Sequence, residues 1–471
     1  MANKNIQSAE QIEIISVRIE APGRFTFNGL DADISLAGRT NKAPSAVQFT
    51  FYEDLFKPYL TGDLLLLDQN DLISKLNIQG TERVIIEYVE PGNEADIVTK
   101  NFVITSIEKQ EKNTDGEKLV SLELLEDFGY FNFVTTINKG YSGKGEEIIS
   151  KIHKSEIGKP LLPYSKDSFQ NKMTYIAPWV KPYAATRKVL SQITTTNGMP
   201  FFLYSTMNSN FNVLTDLESI VERGSFNNKK PFTYSVALSG DPYDRLVSKS
   251  LQVEMYEETM ISNTAALATL GAITSRLEII DASTAELTID EKTMVDIKKE
   301  IEQLDESVLG KNQKLVVIDF ITKFIDTEQG NKSITEFIST TKSIITSRTT
   351  NKSKKIPQSE WIDGFNEPQS LASAKLYAIR AAILYHLISN SVKITAPGLL
   401  FSTNSLKTTV GNLMDFQILL ANTDNTNIID ETKSGKFLIL RKRHAIDLID
   451  QLHTVTIEMT KMADLTPSEV A

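Results

Sequence analysis

The sequence predicts an α+β chain in which two strand-rich regions enclose a small mixed region, with a helical insertion inside the second. Apolar and polar residues alternate at a period of two near both ends of the chain, which is the pattern of half-buried strands. Between those ends, apolar residues recur three or four positions apart, which is the pattern of helices. With 471 residues the chain also exceeds a single core, because domains hold about 100–200 residues.

The elements follow in order. In Val47-Gln48-Phe49-Thr50-Phe51-Tyr52 the alternation places Val47, Phe49 and Phe51 on one face, and it recurs in Val120-Ser121-Leu122-Glu123-Leu124. Residues 81–90 and 98–109 are rich in β-branched side chains. Turn residues separate these runs at 68–71, 91–93 and 113–116. Strands joined this way suggest a barrel or a sandwich. Gly145, Glu146 and Glu147 then open a helix that carries Ile148, Ile149 and Ile152 on one side, with its acidic residues at the positive end of the helix dipole. Pro182 suits the first turn of a second helix bearing Ala185, Val189 and Ile193, which Asn197 and Gly198 would stop. Residues 200–204 and 211–214 form a hairpin around 208–210.

Strands resume after Asp241, at residues 247–255 and, past a helix near 263–270, at 275–281. Residues 291–309 and 333–345 carry helical periodicity. The clearest helix spans 369–389, with Leu376, Ile379, Ile383 and Leu387 in one stripe. Residues 351–357 read as a loop between helices. The C-terminal strands are expected at 392–396, 413–420, 435–443 and 452–462, and Val455, Ile457 and Met459 share a face of the last. The expected divisions are 1–136, a first β unit; 137–240, a small α+β domain; 241–289 and 392–471, the two parts of a second β unit; and 290–391, the helical insertion.

Composition narrows the function. The chain has no cysteine, which excludes disulfides, thiolate metal sites and a cysteine nucleophile. Its formal net charge is −10, and its basic residues are dispersed apart from short clusters at 352–355 and 441–443 that read as solvated surface. Nucleic-acid binders carry basic patches instead. No secretory h-region follows the N-terminus, and no window approaches the ~18 apolar residues of a membrane span. The expectation is a chain made in a cytosol, with no membrane insertion.

Catalytic and ligand-binding patterns fail on their chemistry. Gly140-Tyr141-Ser142-Gly143-Lys144-Gly145 resembles a phosphate loop, but Asn138 stands where the first glycine is needed and Gly145 where a hydroxyl must hold Mg²⁺. It reads as a flexible turn before a helix. The histidines His153, His386, His444 and His453 lack the spacing of a zinc helix, and packing or surface roles are expected for them. His444 and His453 stand where they can face each other across the final hairpin. Asp424, Asn425, Asn427 and Asp430 form a polar cluster, but an EF-hand counted from Asp424 would put Ile429 at the glycine position and Gly435 at the glutamate position. A surface loop is expected. No nucleophile elbow occurs, so the expected catalytic, cofactor and metal sites are none.

Several segments resemble the baseplate hub proteins of contractile-tailed bacteriophages, the T4-type tail hub family. They are the run from Val47 through Phe51-Tyr52-Glu53-Asp54-Leu55-Phe56 to Gln79, then Gly80-Thr81-Glu82, the Gly140–Ile149 stretch, and Pro200-Phe201-Phe202-Leu203-Tyr204-Ser205. The helix ending near Gly271 with its following strand, Pro397-Gly398, Val410-Gly411 and the final hairpin complete the pattern. The resemblance excludes roughly residues 290–367. It implies two tail-tube-like antiparallel β-barrels per chain and a homotrimer whose six barrels form a pseudo-sixfold ring. That ring would adapt the hexameric tail tube to the trimeric central spike and surround the DNA channel. The implied partners are the tail tube or a tube-initiator protein, the central spike protein and the baseplate wedge proteins. Phage DNA would pass without specific binding. The implied location is the virion baseplate, assembled in the host cytoplasm, with no enzymatic role and no cofactor.

Two alternatives stand beside this. One is the hub of a related contractile injection or secretion apparatus, in which hub and spike often share one chain. This chain stops at Ala471 after the final hairpin, so a spike would be a separate protein. The other is a tail-associated cell-wall hydrolase, for which the helical insertion is the available space.

Overall fold

A computed structural model describes residues 10–21, 25–28, 46–68, 72–89, 97–112, 118–165, 173–207, 210–227, 230–235, 250–260, 269, 275–281, 286–293, 296–297, 299–300, 328–329, 332–333, 340–346, 377–401, 406–421 and 427–465. The chain is β-rich, and fourteen strands belong to one sheet. Its first half runs, in spatial order, Phe25–Asn28, Glu13–Ala21, Arg83–Val89, Val98–Lys112, Lys118–Glu126, Thr61–Asp68 and Ala46–Asp54, every neighbour antiparallel. The expected alternation is present: Val84, Ile86 and Tyr88 point inward from one strand, and Val120, Leu122 and Leu124 from another. Val47 departs from it. The register slips between Ala46 and Gln48, so this bulge turns Val47 away, and Ala46 joins Phe49 and Phe51 in the core.

The sheet does not end at Ala46–Asp54. Gln48 to Asp54 pair antiparallel with Asp447 to Arg441 of the strand Gly435–Asp447. The sheet continues through Leu452–Ala463 and Asn390–Pro397 to Met255–Met260. Leu413–Ala421 branches from Gly435–Asp447 and pairs with Asn427–Ile429 and, in parallel, with Phe232–Ser235. Val455, Ile457 and Met459 are buried on one face, as the alternation requires.

The middle of the chain holds a two-stranded ribbon, Ile137–Gly143 with Met173–Val180, and a three-stranded sheet of Phe201–Ser205, Asn212–Asp216 and Leu161–Tyr164. Ile148, Ile149 and Ile152 of the helix Gly145–Ile152 and Ala185 and Val189 of the helix Pro182–Leu190 meet in one apolar cluster. Gly158, at φ 76°, ends the turn that follows the first helix. The second helix stops at Leu190, short of Gly198, which instead closes a separate turn onto the Thr195 carbonyl.

Four expectations are corrected. Gly140 to Gly143 lie in a strand, not a flexible turn. The strand expected at 247–255 is replaced by Met255–Met260 within the described residues, because Val253 bonds backward to Thr233 instead of entering the ladder. The expected helix at 333–345 overlaps a strand, because Glu286–Lys292 and Thr340–Thr346 flank Ser275–Asp281 in a three-stranded sheet; of the helix expected at 291–309, residues 291 and 292 belong to a strand, while the described residues 296–297 and 299–300 are helical. Threonines and isoleucines make Thr340–Thr346 a strand former, and that preference overrides a weak helical spacing. The long helix is present as Tyr377–Ser389, with Ile379, Ile383 and Leu387 buried, but Ala381, Ala382 and Tyr385 are buried too, so more than one stripe is covered. Residues 261–268 and 351–357 lie outside the described residues.

Candidate functional site: a buried polar seam

The strands expected from alternation bring together charged side chains where three parts of the chain meet. Along Ala46–Asp54 the inward positions run Phe49, Phe51 and then Glu53. Along the facing strand they run Ile446, His444 and Lys442. The inward face of Ala46–Asp54 therefore ends in a charge, that of the facing strand is interrupted by one, and the two charges pair. Lys442 Nζ lies 3.0 Å from Glu53 Oε2, and both side chains are fully buried. Lys442 Nζ also donates to the Thr408 carbonyl at 2.9 Å and sits 5.3 Å from the centre of the Phe401 ring. Glu53 accepts from the Met207 amide at 2.5 Å and from the Val410 amide at 3.4 Å. Four chain segments thus converge on one ion pair. Burial holds the Lys442 ammonium below its ordinary range, against the attraction of Glu53. Burial, with help from the same carboxylate, pushes the Tyr88 phenol well up.

Two residues along the Phe201–Met207 segment from Met207, a second cluster forms. Lys159 Nζ donates to Glu126 Oε1 at 2.5 Å and to Ser205 Oγ at 2.7 Å. The Ser205 hydroxyl donates to Glu126 Oε2 at 2.9 Å, as does the Leu60 amide at 3.1 Å. Lys100 Nζ donates to the Thr206 carbonyl at 2.8 Å. Burial raises the Glu126 carboxyl, but the ammonium groups of Lys159 and Lys100 and these hydrogen bonds outweigh it and leave the carboxyl below its usual range. Burial lowers Lys159, and it lowers Lys100 to about 8. A serine beside a lysine is also the arrangement of some acyl-transfer nucleophiles. Here the lysine donates to the serine, the serine proton is committed to a carboxylate, and Ser205 and Lys159 are buried at 0% and 1% exposure. Such an arrangement fastens strands together and offers a substrate no approach.

The histidines fall in three places. His444 and His453 do face each other across the final hairpin, with Nδ1 of the first 3.0 Å from Nε2 of the second. Their rings stack, and Phe51 stacks on His444 with 4.4 Å between centres. Burial, with help from the Lys442 charge, drives His444 well down and His453 down to about 3. His153 is buried against Tyr183, and burial lowers it to about 3. His386 is buried 3.3 Å from the Lys461 carbonyl and lowered by burial to about 4. The structure brings none of these together with a carboxylate cluster fit for a metal among the described residues. Asp430 closes a local turn by accepting from Thr432 and Lys433, while Asp424 and Asn425 lie outside the described residues.

Sequence reasoning placed Lys442, within the basic cluster 441–443, on solvated surface, which its full burial corrects, and it did not single out Glu53, Glu126, Lys159 or Lys100. The signal was available for Glu53 and Lys442. Glu53 follows Phe49 and Phe51 in phase, and Lys442 precedes His444 and Ile446 in phase, so both charges fall on faces that alternation assigns to the interior.

No protein-family model and no curated protein sequence matches the chain. Among solved structures, it is similar to the tail protein from Neisseria meningitidis MC58, at 10% identity and a TM-score of 0.47, over 96% of this chain and 97% of that one. It is similar to the 43 kDa tail protein of prophage MuSo2 from Shewanella oneidensis, at 10% identity and a TM-score of 0.45, over 95% and 98%. A chain of the Francisella PdpA-VgrG complex shares 9% identity at a TM-score of 0.42, over 98% of this chain and 54% of that one. These likenesses are distant. No helix among the described residues is long and apolar enough to cross a membrane.

Proposed function

We propose that this chain is the structural baseplate hub of a contractile phage tail. Three copies would form a ring that adapts the hexameric tail tube to the trimeric central spike and surrounds the DNA channel. The observation that carries this reading is the direct pairing of Gln48–Asp54 with Arg441–Asp447, locked by the buried Glu53–Lys442 ion pair. It makes two strand-rich regions of one chain a rigid couple. Three rigid couples supply six β units, which is what a trimer needs to match a sixfold neighbour. In this proposal the β units are tube-like barrels formed by 1–136 and by 241–289 with 392–471, the α+β domain is 137–240, and 290–391 is an insertion. The net charge of −10 favours a lumen from which DNA is repelled rather than held.

The role is mechanical, so the reading supports no catalytic residue. Mass measurement and negative-stain imaging of the purified chain test it. A ring of three with a central hole is expected. A compact monomer with no affinity for tube or spike protein, or robust hydrolysis of cell-wall material, overturns it.

A further inference from the structure

The first strand region does not close on itself. From Glu13–Ala21 the pairing runs through Arg83–Val89, Val98–Lys112, Lys118–Glu126 and Thr61–Asp68 to Ala46–Asp54. The C-terminal hairpin joins the two ends of that series. On one side, Arg441–Asp447 pairs with Gln48–Asp54 at seven positions. On the other, the start of Leu452–Ala463 meets the residues just before Glu13–Ala21. Gln11 bridges to Leu452, the Ile12 amide donates to the Gln451 carbonyl at 3.1 Å, and the His453 amide donates to the Glu10 carbonyl at 2.6 Å. Backbone pairing therefore runs full circle through six N-terminal strands and the tip of a hairpin from the far end of the chain.

The hairpin is divided between two cores. Ile446 and Leu448 pack with Ile12, Phe49 and Ile86 in the first region, whereas Phe437, Leu438, Val455 and Ile457 pack in the second. Its own register slips between Ile439 and Arg441, at the border between the two. The tip is fitted to its place. Asp447 Oδ1 accepts from the Ile449 amide at 2.8 Å and the Asp450 amide at 3.0 Å. The Leu448 amide donates to the Val47 carbonyl at 2.9 Å, and Gln451 turns the chain back at a φ of 56°. The two sides of the slot are held unequally. Seven paired positions and the Glu53–Lys442 ion pair fasten the Gln48–Asp54 side. Among the described residues, the bridge and two backbone bonds fasten the Glu10–Ile12 side.

We propose that the tip Asp447–His453 is a latch: it closes the first β unit by entering between Glu10–Ile12 and Gln48–Asp54, and the unit reopens on the Glu10–Ile12 side. The first unit is then not built from 1–136 alone but is finished by the second. This deepens the proposed function, on which its part in assembly rests. A chain whose second unit has not folded keeps two unpaired strand edges, which invite pairing with other chains. A chain with the tip seated presents a finished wall to its neighbours. The latch thereby confines ring assembly to chains in which both units are folded.

The two backbone bonds flank the Gln11–Leu452 pair, which makes it a non-hydrogen-bonded pair, the kind whose side chains lie closest. Gln11→Cys with Leu452→Cys therefore sets two thiols within reach of a disulfide, in a chain with no native cysteine. Oxidation of the full-length double variant should form that bond within one chain. It should slow amide exchange in Glu13–Ala21 and Arg83–Val89 roughly tenfold against the reduced form, with little change in Leu413–Ala421. Exchange that is equal in both forms, or slowed equally in Leu413–Ala421, overturns the latch, because the strands then open by another route. A disulfide-linked dimer in place of the internal bond overturns it too, since the tip would then close another copy. Leu448→Ala loosens the tip from within the first core. It should quicken exchange in Glu13–Ala21 and Ala46–Asp54 more than in Leu413–Ala421, and a loss confined to the hairpin counts against the proposal. In sedimentation, Leu448→Ala should give fewer trimers and more open-ended aggregate than the oxidised double variant. A parent that stays monomeric at every concentration, while oxidation slows exchange as expected, defeats the trimeric reading and supports the latch. A parent that forms trimers while oxidation leaves exchange unchanged defeats only the latch.

Discussion

The interior of the first strand region and the seam that joins it to the second use the same strands but different chemistry. The interior is apolar: Phe49, Phe51, Phe102, Leu122 and Ile86 pack on one another with almost no exposure. At the seam the inward face of Ala46–Asp54 ends in Glu53, which meets Lys442 and two backbone amides. Apolar packing supplies the larger share of stability, roughly 25 cal/mol for each Å² removed from water, but it is non-directional. An ion pair gains little over an apolar pair of equal size, because removing both charges from water offsets their attraction. It is, however, sensitive to register. A slip of one residue along the Gln48–Asp54 pairing would turn Lys442 to the opposite face and leave Glu53 alone in the interior. The interior therefore provides stability, and the seam fixes how the two regions meet.

The largest expected effect comes from separating the partners of that pair. Lys442→Met leaves Glu53 buried without its counter-charge and is expected to cost about 3–5 kcal/mol in denaturant unfolding. Leu122→Ala, in the interior, should cost about 2–5 kcal/mol by opening a cavity. The two differ in rescue. Adding Glu53→Leu to Lys442→Met removes the orphaned charge and should recover part of the loss, limited by the Met207 and Val410 amides that Glu53 accepts from. No second substitution of that kind repairs the cavity. A Lys442→Met loss below about 1 kcal/mol would put the seam on a par with an exposed ion pair and break the comparison.

This contrast also decided what the sequence made legible. Strands such as Lys118–Glu126 and Leu452–Ala463 announce themselves because alternation is local, and a handful of consecutive residues carry it. The hairpin that sets His444 against His453 was legible for the same reason. The joining of residue 53 to residue 442 depends on the docking of strands far apart in the chain, and no local period encodes that. Lys159 and Glu126 were illegible for a further reason. Lys159 follows a turn at Gly158, where a lysine looks like any surface lysine, and only the fold reveals that a carboxylate waits for it. The strand Thr340–Thr346 was misread because a spacing of three or four can occur by chance in a β-branched run.

Acid sharpens the comparison at intermediate cost. All four histidines are held below their ordinary range, chiefly by burial, with His153 and His453 near 3 and His386 near 4. The folded chain keeps them neutral at pH values where the unfolded chain takes up protons, below about 6.5. The unfolded state then binds more protons, so stability falls as pH drops from about 6.5 toward 4. The slope reaches about 1.4 kcal/mol per pH unit for each histidine. Two of the four sit at the seam, and none occurs before residue 153. Amide-exchange protection, taken relative to the intrinsic rate at each pH, should therefore fall first in Arg441–Asp447 and Leu452–Ala463 between pH 7 and pH 5, ahead of Lys118–Glu126. A uniform fall in all three would mean that the seam has no acid sensitivity of its own.

The smallest expected effect concerns a link without charge. The helix Pro182–Leu190 receives no side-chain cap from Lys181, the residue before it. Its Tyr183 amide instead donates to Asn132 Oδ1 at 2.8 Å, across 51 positions of sequence. This is a helix cap supplied by another helix, and it ties Asp127–Val134 to Pro182–Leu190 as the ion pair ties the two strand regions. Asn132→Ala removes one neutral acceptor from a helix start, which typically costs about 1 kcal/mol. Denaturant unfolding should read that loss, and amide exchange should quicken at Tyr183 while the seam strands keep their protection. The size of the gap between this variant and Lys442→Met is the test of what distinguishes the seam. If Asn132→Ala costs as much, a buried hydrogen bond of either kind suffices to fix docking. If it costs a third or less, the stranded charge is what makes misdocking of the two strand regions so unfavourable.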